Sequence, residues 1–148
     1  MRGLKNWAFL ALCLGSFATA GCGGQDLTKP PKMFYGRDGC AQCRMIIADE
    51  RFACAAATAD RRFLKFDDIG CFAAHEKKSA EHVLRSWVRN AGADEWIGKE
   101  EARFVHSPNL VTPMGYGFAA TATVDKAARF AEENAGRVIT WEELLSLV

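Results

Sequence analysis

The sequence predicts an α+β fold, and three observations carry that expectation. Strand-like runs gather between Arg44 and Phe66 and a helical pattern follows them, without the regular βαβ alternation of a parallel sheet. Arg62-Phe63-Leu64-Lys65-Phe66 sets Phe63 and Lys65 against Leu64 and Phe66, the period of a half-buried strand. Thr140-Trp141-Glu142-Glu143 reads as a capping box that opens a terminal helix.

In chain order, Arg44 to Asp49 and Arg51 to Ala59 are expected as strands, the second with Phe52 and Cys54 on one face, and Arg62 to Phe66 as a third. Asp67 or Asp68 is a good N-cap, after which Ile69, Phe72, Ala73 and Glu76 fit helical spacing. His82 to Asn90 reads as a strand ended by Asn90-Ala91-Gly92. A short helical turn is expected at Trp96 to Glu101, then extended chain at Ala102 to His106. Val124 to Ala135 is an amphipathic helix with Val124, Ala127, Ala128 and Ala131 on one stripe, stopped by Gly136. Arg137 to Ile139 is extended, and the last helix turns Trp141, Leu144, Leu145 and Val148 inward.

Residues 1–21 read as a signal peptide and not as fold. Arg2 and Lys5 make a positive start, and Trp7 to Ala20 is an uncharged run of 14 residues, short of the about 20 that a membrane span needs. Thr19-Ala20-Gly21-Cys22 resembles a lipobox, with Thr19 where Leu is usual, so Cys22 is the expected lipidation site. Ala18-Thr19-Ala20 also fits an ordinary small-x-small cleavage site that would release a soluble protein. Residues 22–32 then form a tether of glycines, charges and a Pro-Pro pair, and 33–148 one domain. Removing 1–21 takes Arg2, Lys5 and no acid, leaving a net charge near −1. Nothing in that balance suggests nucleic acid, whose binders carry a concentrated basic face.

With Cys13 in the signal and Cys22 set aside, Cys40, Cys43, Cys54 and Cys71 remain. Cys40-Ala41-Gln42-Cys43-Arg44-Met45 places two thiols and a thioether within six positions, and such soft donors select Cu(I) over hard cations. If Arg44 opens a strand, Cys43 and Met45 fall on the same side, and Cys40 either swings in from the loop as a third donor or remains a redox partner. Other readings of the pair are a disulfide of an oxidising compartment, a thioredoxin-like redox site, or half of a zinc site. The redox motif lacks its βαβ setting, and the zinc reading lacks a second CxxC. Thr112-Pro113-Met114-Gly115-Tyr116-Gly117 sets Met114 in a turn, where a thioether has less to pack against, so it is a candidate ligand from a distant part of the chain. Cys54 and Cys71 read as core, and Asp67 and Asp68 as helix caps, though a neighbouring acid could orient a ligand. His75 and His82 read as solvent-facing and His106 as a surface residue at a strand end. No GxSxG, HExxH or Gly-rich phosphate loop is present, so no catalytic set emerges.

Cys40-Ala41-Gln42-Cys43-Arg44-Met45, Phe66-Asp67-Asp68-Ile69-Gly70-Cys71-Phe72, Thr112-Pro113-Met114-Gly115 and Trp141-Glu142-Glu143-Leu144, in that order, resemble the NosL family of lipoproteins, from about Met33 to Leu147. The resemblance implies a small domain of ββα-type units with mixed or antiparallel strands, related in fold to organomercurial lyase. It implies a periplasmic, membrane-anchored Cu(I) chaperone and not an enzyme. Its ligands would be Cys43, Met45 and Met114, with Cys40 as a further donor. It also implies partners: an ABC-type membrane assembly with a periplasmic copper-accepting subunit, and ultimately nitrous oxide reductase, whose copper–sulfide centre the family helps to mature. Two alternatives differ in class. One is a thiol–disulfide oxidoreductase, which would not need Met45 or Met114. The other is a lyase-like enzyme that would set Cys43, Cys71 and Asp68 around a mercury–carbon bond.

Overall fold

The computed structural model describes residues 25–148, so the expected signal peptide and lipidated Cys22 lie outside the described residues. Among the described residues there are two antiparallel sheets and three α-helices. β1 (Cys54–Thr58), β2 (Phe63–Phe66), α1 (Ile69–Lys78), β3 (Val83–Arg89) and β4 (Trp96–Gly98) come first, and the first sheet has the order β2-β1-β3-β4. β5 (Arg103–His106), β6 (Phe118–Thr121), α2 (Val124–Glu133), β7 (Arg137–Ile139) and α3 (Trp141–Ser146) follow, with the second sheet ordered β6-β5-β7. β1-β2-α1 and β5-β6-α2 are the two ββα units.

β1 is Cys-Ala-Ala-Ala-Thr and buried along its whole length, because both its faces are covered. Cys54 and Ala56 join the main core, while Ala55 and Ala57 pack with Trp87, beside Phe63 and Leu27. Small side chains allow this double coverage, and they also remove the alternation by which a strand is recognised. The main core links the two sheets through aromatic pairs: Phe66 with Phe72 at 5.2 Å, Phe72 with Trp141 at 5.5 Å, and Trp141 with Phe104 at 5.1 Å between ring centroids.

The caps follow the sequence closely. Asp68 is the N-cap of α1, its carboxylate accepting from the Gly70 N–H, and Thr140 accepts from the Glu143 N–H to open α3. β2 buries Leu64 and Phe66 as its alternation requires. α2 is shorter than expected, because Ala135 takes the left-handed conformation (φ 50°) and Gly136 donates back to the Ala131 carbonyl at 2.7 Å. Of its expected stripe only Ala127 and Ala131 are buried; Val124 and Ala128 face solvent, and half-buried Phe130 completes the contact with Val105.

Three further expectations change. Arg44 to Asp49 is no strand: only Ile46 bridges to Gly39, and Arg44 has φ 68°. Part of the loop's backbone bonds within the loop, Cys40 N–H donating to the Met45 carbonyl and Arg44 N–H to that of Cys40, so these groups form no ladder with a neighbouring strand. The strand expected from Arg51 is delayed by a 3-10 turn at Glu50–Phe52, which the Asp49 side chain caps. Trp96–Gly98 is strand and not helical turn, because β3 offers it an open edge; only Lys99–Glu101 coils. β6, Phe-Ala-Ala-Thr, escaped the sequence reading for the same reason that β1 lacks alternation: all four residues are buried.

From Gln25 on, the segment read as a tether lies against the domain. Leu27 packs beside Phe63 and Trp87, and the Lys32 carbonyl accepts from Lys65 Nζ at 2.9 Å. Among the described residues no helix is long and apolar enough to cross a membrane.

Candidate metal centre

The CxxC loop is tied to the first sheet at two points. Ala41 N–H donates to the Lys65 carbonyl at 2.8 Å, and the Asp38 carboxylate accepts from Lys65 Nζ at 2.6 Å and from the Phe34 N–H. These bonds hold Cys40 and Cys43 over the step between β2 and α1, where Asp67 is buried and Cys71 occupies the first helical turn. One ligand atom from each of Cys40, Cys43, Asp67 and Cys71 lies within 4.8 Å of every other. Cys43 is half-buried and its Sγ faces both Asp67 oxygens, at 3.5 and 3.6 Å. All four cysteines of the described chain are free thiols.

The 112–117 loop closes over the same helix start. Met114 N–H donates to Asp68 Oδ2 at 3.1 Å, so the two consecutive acids divide the work. Asp68 binds backbone N–H groups of α1 and the loop, whereas Asp67 faces the thiols. Tyr116 lies directly on Gly70, where any Cβ would collide with its ring. Met114 is 37% exposed and Met45 56%. With Arg44 at φ 68°, the strand alternation expected to align Cys43 with Met45 does not apply.

Sequence reasoning placed Cys40 and Cys43 together, and the structure adds Cys71 and Asp67, read there as core and cap. Two adjacent acids before one helix were the available signal, since a helix needs one cap and the other carboxylate must face elsewhere. A cysteine in the first turn also points back toward that end. Cys54 is core as expected, its thiol donating to the Phe52 carbonyl. His106 lies against the Phe118 ring, outside the cluster. His75 is half-buried and not solvent-facing: it packs on Phe66 and meets Glu81 at 2.8 Å. The acid beside the thiols is Asp67, not the Asp68 that the lyase alternative invoked.

The sulfurs are electrostatically unequal. A hydrogen bond from the Cys71 thiol draws Cys40 down to about 6, and the same interaction pushes Cys71 far up. Burial raises Cys43, and burial also raises Asp68. At neutral pH the three thiols of the cluster therefore hold one thiolate, at Cys40, with Cys43 and Cys71 protonated. Below about pH 6 that thiolate is protonated too. Thiolate absorbance near 240 nm should rise by one equivalent through about pH 6 in the metal-free protein, and Cys40→Ser should abolish that step. Absence of any step below pH 8 would contradict the proton sharing.

Three sulfurs and a carboxylate at a helix start, closed over by a loop, make a compact soft-donor set able to hold a metal ion in a small α+β domain. That defines a metal-binding domain. The NosL family model matches residues 31–146, and the chain belongs to the NosL family. Its fold is similar to that of the copper chaperone NosL from Shewanella denitrificans in crystal form, with a TM-score of 0.62 and 19% identity over 77% of this chain and 96% of that one. No curated protein sequence matches the chain.

Proposed function

We propose that the protein is a Cu(I) metallochaperone without catalytic activity, anchored through Cys22 at the periplasmic face of a membrane. The observation that carries this reading is the convergence of Cys40, Cys43 and Cys71 with Asp67 within 4.8 Å. Thiolates favour Cu(I) among available ions, and the buried position of Cys40 and Cys71 keeps the ion from adventitious sites. Each thiol must lose its proton to bind the metal. The Cys43 thiol donates to the Asp67 carboxylate, so thiol and acid face the same ion position. The exposed thioethers of Met45 and Met114 are the outer ligands, weak donors that let an acceptor displace the protein stepwise. The proposed recipient is the periplasmic acceptor subunit of an ABC-type membrane assembly, and the final client the copper–sulfide centre of nitrous oxide reductase. Membership of the NosL family supports that route.

Anaerobic Cu(I) titration of the reduced protein, read by X-ray absorption and by competition with a chromophoric chelator, tests the assignment. One ion in an all-sulfur or sulfur-dominated shell is expected. Met114→Ala should weaken affinity by about tenfold, an effect of the size seen when outer contacts of a metal site are lost, and speed release to a competitor. An oxygen- and nitrogen-dominated shell would refute the reading.

A further inference from the structure

We infer that a basic groove between the N-terminal segment and the β1–β2 hairpin docks on anionic phospholipid headgroups. The groove encloses about 740 Å³, and Lys29, Lys32, Arg61, Arg62 and Lys65 line it. Phe34 lines it too, is 39% exposed and carries three cations over its ring: Arg37 at 4.9 Å, Lys32 at 5.0 Å and Lys65 at 5.7 Å from the centroid. Four acids neutralise part of this charge. Asp26 pairs with Lys29 at 3.6 Å, Asp60 with Arg62 at 2.5 Å, and Asp38 with Lys65 at 2.6 Å; Arg62 also meets Glu81 at 2.8 Å. Lys32, Arg37 and Arg61 have no salt bridge among the described residues. The full chain carries 19 basic and 18 acidic side chains, so this excess is local and not a property of the composition.

The place of the groove in the chain selects its occupant. Arg61 donates to the Gln25 carbonyl at 3.4 Å, which fixes the chain at the groove mouth. Cys22 lies three positions earlier, a reach of at most about 10 Å in extended chain. If Cys22 carries the lipid, on which this inference rests, the cations sit about one Debye length from the bilayer surface. Cations around an exposed aromatic side chain match what an anionic membrane surface attracts. Asp38 and Lys65 also brace the CxxC loop, so docking there would hold the metal centre at the membrane surface.

The test uses the mature lipidated protein on vesicles of phosphatidylcholine alone and with one part in three phosphatidylglycerol, read by amide hydrogen exchange. Exchange over residues 29–37 and 61–65 should slow by about tenfold or more on the anionic vesicles, since three cations at about fivefold each favour the docked state. High salt and the triple variant Lys32→Glu, Arg37→Glu, Arg61→Glu should both cancel that protection, with Cu(I) binding retained. Equal exchange on the two vesicle types, or protection untouched by the triple variant, would overturn the inference. Anchoring is read separately, by flotation with the neutral vesicles and by the mass of the N-terminal peptide. Failure of the anchor and failure of the docking surface are therefore distinct results.

Discussion

Cys71→Ser should lower Cu(I) affinity by at least about a hundredfold, matched by Cys43→Ser. Whole tetrahedral metal sites contribute about 10–16 kcal/mol, or roughly 3 kcal/mol per ligand, which sets that scale. The Cys71 thiol is buried in the first turn of α1 and shares the 4.8 Å cluster with Cys40, Cys43 and Asp67. Serine keeps the size but replaces a soft donor by a hard one that Cu(I) disfavours. Because a buried hydroxyl can itself cost about 1–3 kcal/mol of stability, Cys71→Ala belongs beside it. Both variants should retain a folded apo state by circular dichroism and show the loss in chelator competition. Wild-type affinity in both would remove Cys71 from the ligand set and leave the loop thiols as the sole protein anchors.

Gly70→Ala should destabilise the domain by about 1–3 kcal/mol, the usual range for overpacking, and weaken copper retention with it. A Cβ at Gly70 would fall inside Tyr116 near the base of its side chain, where rotation cannot clear it. The 112–117 loop would have to lift, breaking the bond from Met114 N–H to Asp68. Thermal unfolding of the apo protein measures the first effect and Cu(I) dissociation rate the second. Adding Tyr116→Ala should recover part of the stability, since coupled neighbours are non-additive. An unchanged melting temperature in Gly70→Ala would show that the loop does not rest on α1 in solution.

Much of the fold is legible where the code is local. Asp68 and Thr140 cap the helices that the sequence assigns to them, and the alternation in β2 faces as written. Legibility fails where burial is two-sided or pairing supplies the structure. β6 is a wholly buried run without period, and β4 is a strand only because β3 exposes an edge; β1 was legible as a strand within Arg51 to Ala59, but its two-sided burial was not. The CxxC loop fails for another reason. The Cys40 and Arg44 N–H groups bond back within the loop and Arg44 takes a positive φ, which a pattern of side chains does not record.

By itself the sequence determined a sulfur-rich loop, a methionine in a Pro–Gly turn and an α+β frame, since spacing, caps and periodicity are properties of neighbouring residues. The tertiary structure alone decided that Cys71 and Asp67 face Cys40 and Cys43, and that Asp68 turns away to hold the Met114 loop. Antiparallel pairing of β1 with β2 and the tie of Ala41 to Lys65 place the loop above the helix start. Which donors meet thus depends on how separate segments register, and that is fixed by packing and backbone hydrogen bonds across the whole domain.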